Sequence, residues 1–309
     1  MREVRAGVDL NAITGYEPAP DAGWRDGDAW LAGGTWLFSQ PQPRLRRLLD
    51  LHAFGWPALT ETDDGLTIAA TCTLAELARW RPARPSRAPA AELARQCCDA
   101  LLGSFKVQNV ATVGGNICLS LPAGPMTSLT AALDGVATVT GPDGEVRRLA
   151  VADLVTGDGV NALAPGELLT RVDLPAAALT ARTAFRQVSL SPVGRSAVLV
   201  IARRSAGDHA SADHGRSPAE TVITVTAATP RPVQLRFIDH PSPDEALAAL
   251  DAAVAPDAAV APDSAISPDS AVPRYLDDVH GGARWRAAMT RRCVAEVTAE
   301  LAAKPGPGR

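Results

Sequence analysis

The sequence is poor in lysine, and it lacks long apolar runs. Lysine occurs only at Lys106 and Lys304, and the formal net charge is −4 with a pI near 5.8. No face can then be broadly basic without a compensating acidic one, which argues against a nucleic-acid partner. No run of about 18 apolar residues occurs, so we expect no membrane span.

The cysteines form no metal-binding pattern. No C-x-x-C pair occurs, which excludes the usual zinc and iron–sulfur ligand spacings. The five cysteines are Cys72, Cys97, Cys98, Cys118 and Cys293. Their odd number and scattered spacing favour a reducing compartment, and residues 1–20 contain no apolar core of a signal peptide. We therefore expect a cytoplasmic protein. Cys97 and Cys98 are predicted to be core residues in preference to a redox pair.

The apolar residues predict short strands and helices in alternation over the first half of the chain. Strands are expected at 30–32, 66–69, 136–140 and 168–174. Helices are expected at 43–51, after a Thr73–Glu76 capping box, at 90–102 and at 128–133. The arginines Arg44, Arg46 and Arg47 are expected on the solvated face of the 43–51 helix.

The character of the sequence changes after Pro175, where we place a domain boundary. Strands are predicted at 197–201 and 221–228, and a terminal helix at 285–301. His209 and His214 could form a metal pair, but their polar surroundings favour a solvated loop. A six-residue repeat begins at Val254. Because each copy contains proline and none contains glycine, it favours a low-complexity linker over a β-helix.

Two segments with paired glycines are the candidate functional sites. Gly33-Gly34-Thr35 and Gly114-Gly115-Asn116 each follow an apolar stretch read as a strand. Glycine permits positive φ and close approach of a ligand to the backbone. Successive N–H groups in such turns can bind an anion, and Thr35, Thr112 and Asn116 add side-chain donors. A diphosphate could therefore bind without lysine or arginine.

Either glycine pair alone is more typical of an ordinary tight turn. Neither the G-x-G-x-x-G fingerprint nor a Walker loop is present, which argues against a Rossmann-type site. Trp36 could stack on a ligand or pack beneath one, and the sequence favours neither reading.

Taken in order, several segments resemble the FAD-binding medium subunit of the molybdenum hydroxylases, the family of xanthine dehydrogenase and aerobic carbon monoxide dehydrogenase. The resemblance covers nearly the whole chain. Its segments are 33–35, 109–117, 122–124, 163–169, 228–232 and 277–282 with Trp285-Arg286. The family often has polar residues where this chain has Leu119, Leu121 and Pro125.

The resemblance implies an α+β fold. A two-subdomain FAD-binding fold of the vanillyl-alcohol-oxidase (PCMH) type would span 1–176, with subdomains of about 1–54 and 55–176. A C-terminal domain with a small antiparallel sheet and helices would span 177–309, with a low-complexity insertion at about 251–273. The residues expected at the cofactor are Ala32, Gly33, Gly34, Thr35, Trp36, Ala111, Thr112, Gly114, Gly115, Asn116, Leu168, Leu169 and Arg186.

The function implied is that of an FAD-carrying electron-transfer subunit of a molybdenum hydroxylase complex. Its partners would be an iron–sulfur small subunit and a molybdopterin large subunit, with NAD or another acceptor receiving the electrons. No residue of this chain is expected to act in catalysis, and no metal ligand is expected. The apolar replacements keep open a flavin-free scaffold subunit that docks those partners. A self-contained flavin oxidase is disfavoured, because little chain remains for a substrate domain.

Overall fold

The computed structural model describes residues 12–205, 219–255 and 275–303. His209, His214 and most of the repeat lie outside these residues. Helix formation continues to Ala253, so the first residues of the expected insertion, 251–253, are helical. In the described ranges, no helix is both long and apolar enough to cross a lipid bilayer.

The strands form four sheets. In chain order they are β1 (Gly15–Pro18), β2 (Asp28–Leu31), β3 (Arg47–Asp50), β4 (Leu59–Glu61), β5 (Gly65–Ala69), β6 (Val136–Thr140), β7 (Val146–Ala150), β8 (Val155–Gly157), β9 (Val160–Asn161), β10 (Leu168–Pro175), β11 (Arg182–Val188), β12 (Val198–Arg204), β13 (Glu220–Thr226) and β14 (Val233–Ile238). A parallel sheet has the order β1-β3-β2, and an antiparallel sheet has the order β4-β5-β10-β6-β7. A second antiparallel sheet has the order β11-β12-β13-β14, and β8 pairs with β9.

The helices pack mainly on the two antiparallel sheets. They are α1 (Leu74–Arg79), α2 (Ala88–Asp99), α3 (Phe105–Gln108), α4 (Val113–Cys118), α5 (Pro125–Ala132), α6 (Val151–Leu154), α7 (Ala176–Leu179), α8 (Pro243–Ala253) and α9 (Ala283–Ala302). The Thr73–Glu76 capping box is confirmed, since the Thr73 hydroxyl accepts from the Glu76 N–H and the Glu76 carboxylate accepts from the Thr73 N–H. The predicted terminal helix is confirmed as α9.

The predicted helix at 43–51 is wrong, because residues 47–50 form the central strand β3 of the parallel sheet. Leu48 and Leu49 are both buried although they point to opposite faces. A strand covered on both faces reads as a continuous apolar run, which a short sequence window cannot distinguish from a buried helix.

Arg47 is correspondingly buried and does not lie on a solvated helix face. Its Nε donates to Asp28 Oδ1 at 2.9 Å, and its Nη2 donates to Asp28 Oδ2 at 2.6 Å. Its Nη1 reaches the Glu17 carboxylate at 2.8 Å. The ion pair ties the neighbouring strands β2 and β3 together, and Glu17 extends it to β1.

We expect the free energy of unfolding to fall as the pH is lowered into the acidic range. Hydrogen bonds from Arg47 hold the pKa of the Asp28 carboxyl below its ordinary value. A lowered folded-state pKa contributes stability above the unfolded-state pKa, and this contribution is lost as pH falls through the folded value. Urea unfolding of Asp28→Asn should therefore show a weaker pH dependence than the unaltered chain. Asp26→Asn, at a neighbouring exposed carboxyl, is the control. Parallel curves for Asp28→Asn and the unaltered chain would contradict this.

The C-terminal sheet lies between two layers of helices. In β12, Val198 and Val200 belong to a core shared with α8 and α9, whereas Leu199 and Ile201 belong to the core that contains α2 and α5. Side chains of a strand alternate between faces, so β12 joins the two cores. The hydroxyls of Ser128 in α5 and Thr226 in β13 lie 2.6 Å apart across this contact.

Candidate functional site

A cleft of about 780 Å³ lies between the two glycine segments. This volume falls within the usual range of ligand pockets, about 300–1,000 Å³. Most of the residues expected at the cofactor line it. They are Ala32, Gly33, Gly34, Thr35, Trp36, Ala111, Thr112, Gly115 and Asn116. Folding therefore brings together two segments that are about 80 residues apart in the chain.

The first glycine turn follows strand β2 and packs directly against the second segment. A Cβ placed on Gly33 would lie 1.9 Å from the carbonyl oxygen of Val110. Gly34 has φ of +65°, and a Cβ there would lie 2.4 Å from the Phe38 ring. Only glycine allows this close approach together with this backbone conformation.

The backbone amides of the first turn face no protein acceptor. Within the described residues, the N–H groups of Gly33, Gly34 and Thr35 donate no hydrogen bond. Thr35 also has no hydrogen bond from its hydroxyl there. Three successive donors without protein acceptors suit a phosphate oxygen.

The second segment differs from the expectation. Its glycines do not end a strand but lie in helix α4, which Thr112 caps by accepting from the Gly115 N–H at 3.1 Å. The N–H groups of Gly114 and Asn116 donate to Ala70 and Thr112 carbonyls at 2.9 and 3.0 Å. This segment therefore offers side-chain donors in place of amides, chiefly the Asn116 NH₂, because its Oδ1 already accepts from Met126 N–H.

Four of the expected residues do not face the cleft. Gly114 packs behind it, where a Cβ would lie 2.5 Å from that of Ala70. Leu168 and Leu169 are 8% and 2% exposed and belong to two different apolar cores. The Arg186 guanidinium lies against helix α9, 2.9 Å from the Glu296 carboxylate and 2.8 Å from that of Glu300.

Sequence reasoning missed both basic side chains among the described lining residues, Arg195 and His280. His280 lies within the 277–282 segment that carried part of the resemblance, so a signal for its importance was present. Arg195 lies in the β11–β12 loop, and no pattern in the sequence marked it. Among the described residues, those that line the cleft include no Asp or Glu. The electrostatics of the cleft therefore suit an anionic ligand.

The rest of the lining is mostly apolar. Leu101 and Leu102 follow α2, and Leu119 and Leu121 follow α4. These last two are positions where the family often has polar residues. The Trp36 ring is 40% exposed at the rim. Such walls suit flat aromatic rings.

The cysteines are held as inert thiols. Cys97 and Cys98 are fully buried in the main core, as predicted. Cys118 lines the cleft, and burial raises the pKa of its thiol to about 12. A thiol with so high a pKa is a poor nucleophile at neutral pH. No group of three or more metal-ligating side chains occurs in the ranges that the structure describes.

The cleft and its open amide turn suit a phosphorylated, ring-containing ligand. Residues 25–177 match the family described as FAD binding domain in molybdopterin dehydrogenase. This part of the chain belongs to that family. The residues present fit the cofactor, because the amides of Gly33, Gly34 and Thr35 have no protein acceptor within the described ranges and these residues line the cleft.

The chain is also similar to individual known proteins. Xanthine dehydrogenase 1 from Arabidopsis thaliana is 29% identical over 124 residues, which are 38% of this chain and 9% of that protein. The chain thus spans about a tenth of that relative's length. A chain of quinoline 2-oxidoreductase from Pseudomonas putida 86 has a TM-score of 0.68 at 18% identity, covering 94% of this chain and 97% of its own. A chain of carbon monoxide dehydrogenase from Oligotropha carboxidovorans has a TM-score of 0.67 at 19% identity. The match covers 93% of this chain and 96% of that chain. The structural matches show the fold.

Proposed function

We propose that this protein is the FAD-carrying electron-transfer subunit of a molybdenum hydroxylase complex. Its FAD-binding part would be the two-subdomain PCMH-type fold of residues 1–176, followed by a C-terminal domain from residue 177. The observation that carries the proposal is the open amide turn at Gly33–Thr35, which faces an anion-compatible cleft in a chain of this family.

Different residues of the cleft would contact different parts of FAD. The amides of Gly33, Gly34 and Thr35 would hold the diphosphate, and the Asn116 NH₂ would donate to the cofactor from the second segment. Leu119 and Leu121 would exclude water from the ring systems. FAD supplies the redox chemistry when bound, by taking up and releasing two electrons. The chain itself binds, orients and shields the cofactor.

The partners follow from the family. An iron–sulfur small subunit would deliver electrons, and a molybdopterin large subunit would oxidise the substrate. NAD or another acceptor would then take the electrons from this subunit. These assignments rest on the family match and on the resemblance of the whole chain to chains of such dehydrogenases.

We expect the purified full chain to bind one equivalent of FAD and to be yellow. The measurement is visible absorbance after gel filtration, with the dissociation constant from calorimetry. AMP and FMN, each carrying one half of the cofactor, serve as comparison ligands and should bind more weakly. A chain that stays colourless after incubation with excess FAD would contradict the proposal and support the scaffold alternative.

A further inference from the structure

Arg195 gives the cleft a cationic wall, to which His280 adds an imidazole. Both residues belong to the C-terminal part of the chain. Arg195 lies in the loop between β11 and β12, and His280 lies just before α9. Neither side chain has a hydrogen bond or a salt bridge to any residue in the described ranges. Both are partly buried, and the cleft has no acidic lining. A partly buried guanidinium without a protein partner in the described ranges is stabilised by a negative charge on the ligand.

A buried arginine holds the two loops in place. Arg286 is 1% exposed, and its Nη1 donates to the carbonyl of Ala197 at 2.6 Å, two residues beyond Arg195. Its Nε donates to the carbonyl of Gly281 at 2.8 Å, one residue beyond His280. Arg286 is therefore a positioning residue, because it holds the backbone of the two loops that carry Arg195 and His280.

The cationic wall lies at a distance from the open amide turn. Gly33 contacts the second segment at Val110. From there the six residues of α4 run about 9 Å, at 1.5 Å per residue, before the chain reaches Pro122. The Pro122 carbonyl accepts from Ala227 N–H at 2.8 Å, and the Ala227 carbonyl accepts from Arg286 at 2.7 Å. The amide turn therefore lies near the Val110 end of the segment 110–122, and the cationic wall lies near its Pro122 end.

We propose that Arg195, assisted by His280, faces the flavin ring and favours its reduced form over its oxidised form. This rests on the proposed function. With the diphosphate at the amide turn, one end of FAD is neutral adenosine and the other is the redox-active ring. Two electrons and one proton taken up by the ring leave it with one negative charge. A cation beside the ring stabilises that charge, so it raises the midpoint potential.

The test is the two-electron midpoint potential of FAD bound to Arg195→Gln, measured at one pH with dithionite as the electron donor. We expect the ratio of affinities for reduced and oxidised FAD to fall at least about tenfold, which corresponds to a potential lower by about 30 mV. The dissociation constant of oxidised FAD should change much less. The midpoint potential of FAD bound to Arg195→Lys should stay close to that of the unaltered chain, because lysine keeps the positive charge. Arg231→Gln, at an exposed arginine outside this cleft, should leave it unchanged.

His280→Gln provides a second variant, and it should lower the potential in the same direction. Unchanged potentials in both the Arg195 and His280 variants would overturn the assignment. A weaker affinity for oxidised FAD at an unchanged potential would also overturn it, since the guanidinium would then contact the diphosphate or adenosine. An unaltered chain that takes up no FAD would overturn the proposed function and this inference with it. A chain that binds FAD but fails the potential test would overturn only the inference.

Discussion

Gly33→Ala is expected to weaken FAD binding by about a hundredfold, which corresponds to nearly 3 kcal/mol. The added Cβ would lie 1.9 Å from the carbonyl oxygen of Val110 and 2.7 Å from its carbonyl carbon. Both are backbone atoms, so no change of side-chain rotamer relieves the clash. The two segments must move apart, and the amides of the turn then lose their arrangement around the diphosphate. Overpacking of this kind costs about 1–3 kcal/mol or more.

The matched controls are alanine substitutions at other glycines, with FAD affinity measured by calorimetry. A Cβ on Gly23 would meet nothing within 4 Å, so Gly23→Ala should bind FAD as the unaltered chain does. A Cβ on Gly115 would meet only the Thr112 hydroxyl at 2.9 Å, so Gly115→Ala should have an intermediate effect. Thermal unfolding without FAD separates loss of the fold from loss of the site. Full affinity in Gly33→Ala would contradict the role assigned to this turn.

Arg286→Met should lower the free energy of unfolding by about 3–5 kcal/mol, the range measured for removing one partner of a buried charged group. The guanidinium donates to the carbonyls of Ala197, Ala227 and Gly281 and to the Asp278 carboxylate. Methionine fills a similar volume but donates nothing, so buried carbonyls lose their hydrogen bonds. The loops that carry Arg195 and His280 would also lose their shared anchor.

Urea unfolding followed by circular dichroism measures this effect. Arg284→Met is the matched control, because Arg284 lies on the same helix two residues away and is exposed. Its free energy of unfolding should change by less than about 0.5 kcal/mol. Equal midpoints for the two variants would show that Arg286 is not the anchor that the structure indicates.

Local sequence patterns were sufficient to predict an element when nearby residues in the chain determine its secondary structure. The capping box at Thr73 needs only residues three apart, and β6 and β10 alternate or run apolar within one short window. The same reasoning failed at residues 47–50, because a central parallel strand buried on both faces has no period-2 signature. It also failed at Gly114-Gly115, which lie in helix α4 with Thr112 as its N-cap. Glycine is required at 114 because Ala70 packs against it, and not because the chain turns there.

Some residues of the candidate site could also be predicted from the sequence, and others could not. The glycine segments could be found from sequence, because close approach to a backbone requires glycine and glycine is visible in the chain. Arg195 could not be found, because an arginine in a loop has no distinguishing pattern. Arg186 was expected at the cofactor, whereas the structure pairs it with two glutamates on α9. Only the fold decides which arginine meets a carboxylate and which is left to face a ligand.

The sequence by itself determined the family, the cofactor class and the two glycine segments, since these depend on residue identities in fixed order. The tertiary structure decided that one turn supplies free amides while the other supplies a capped helix. It also decided that a cationic wall from two loops of the C-terminal part of the chain completes the cleft. The physical reason is that hydrogen-bond partners and buried charges are set by contacts between segments far apart in the chain.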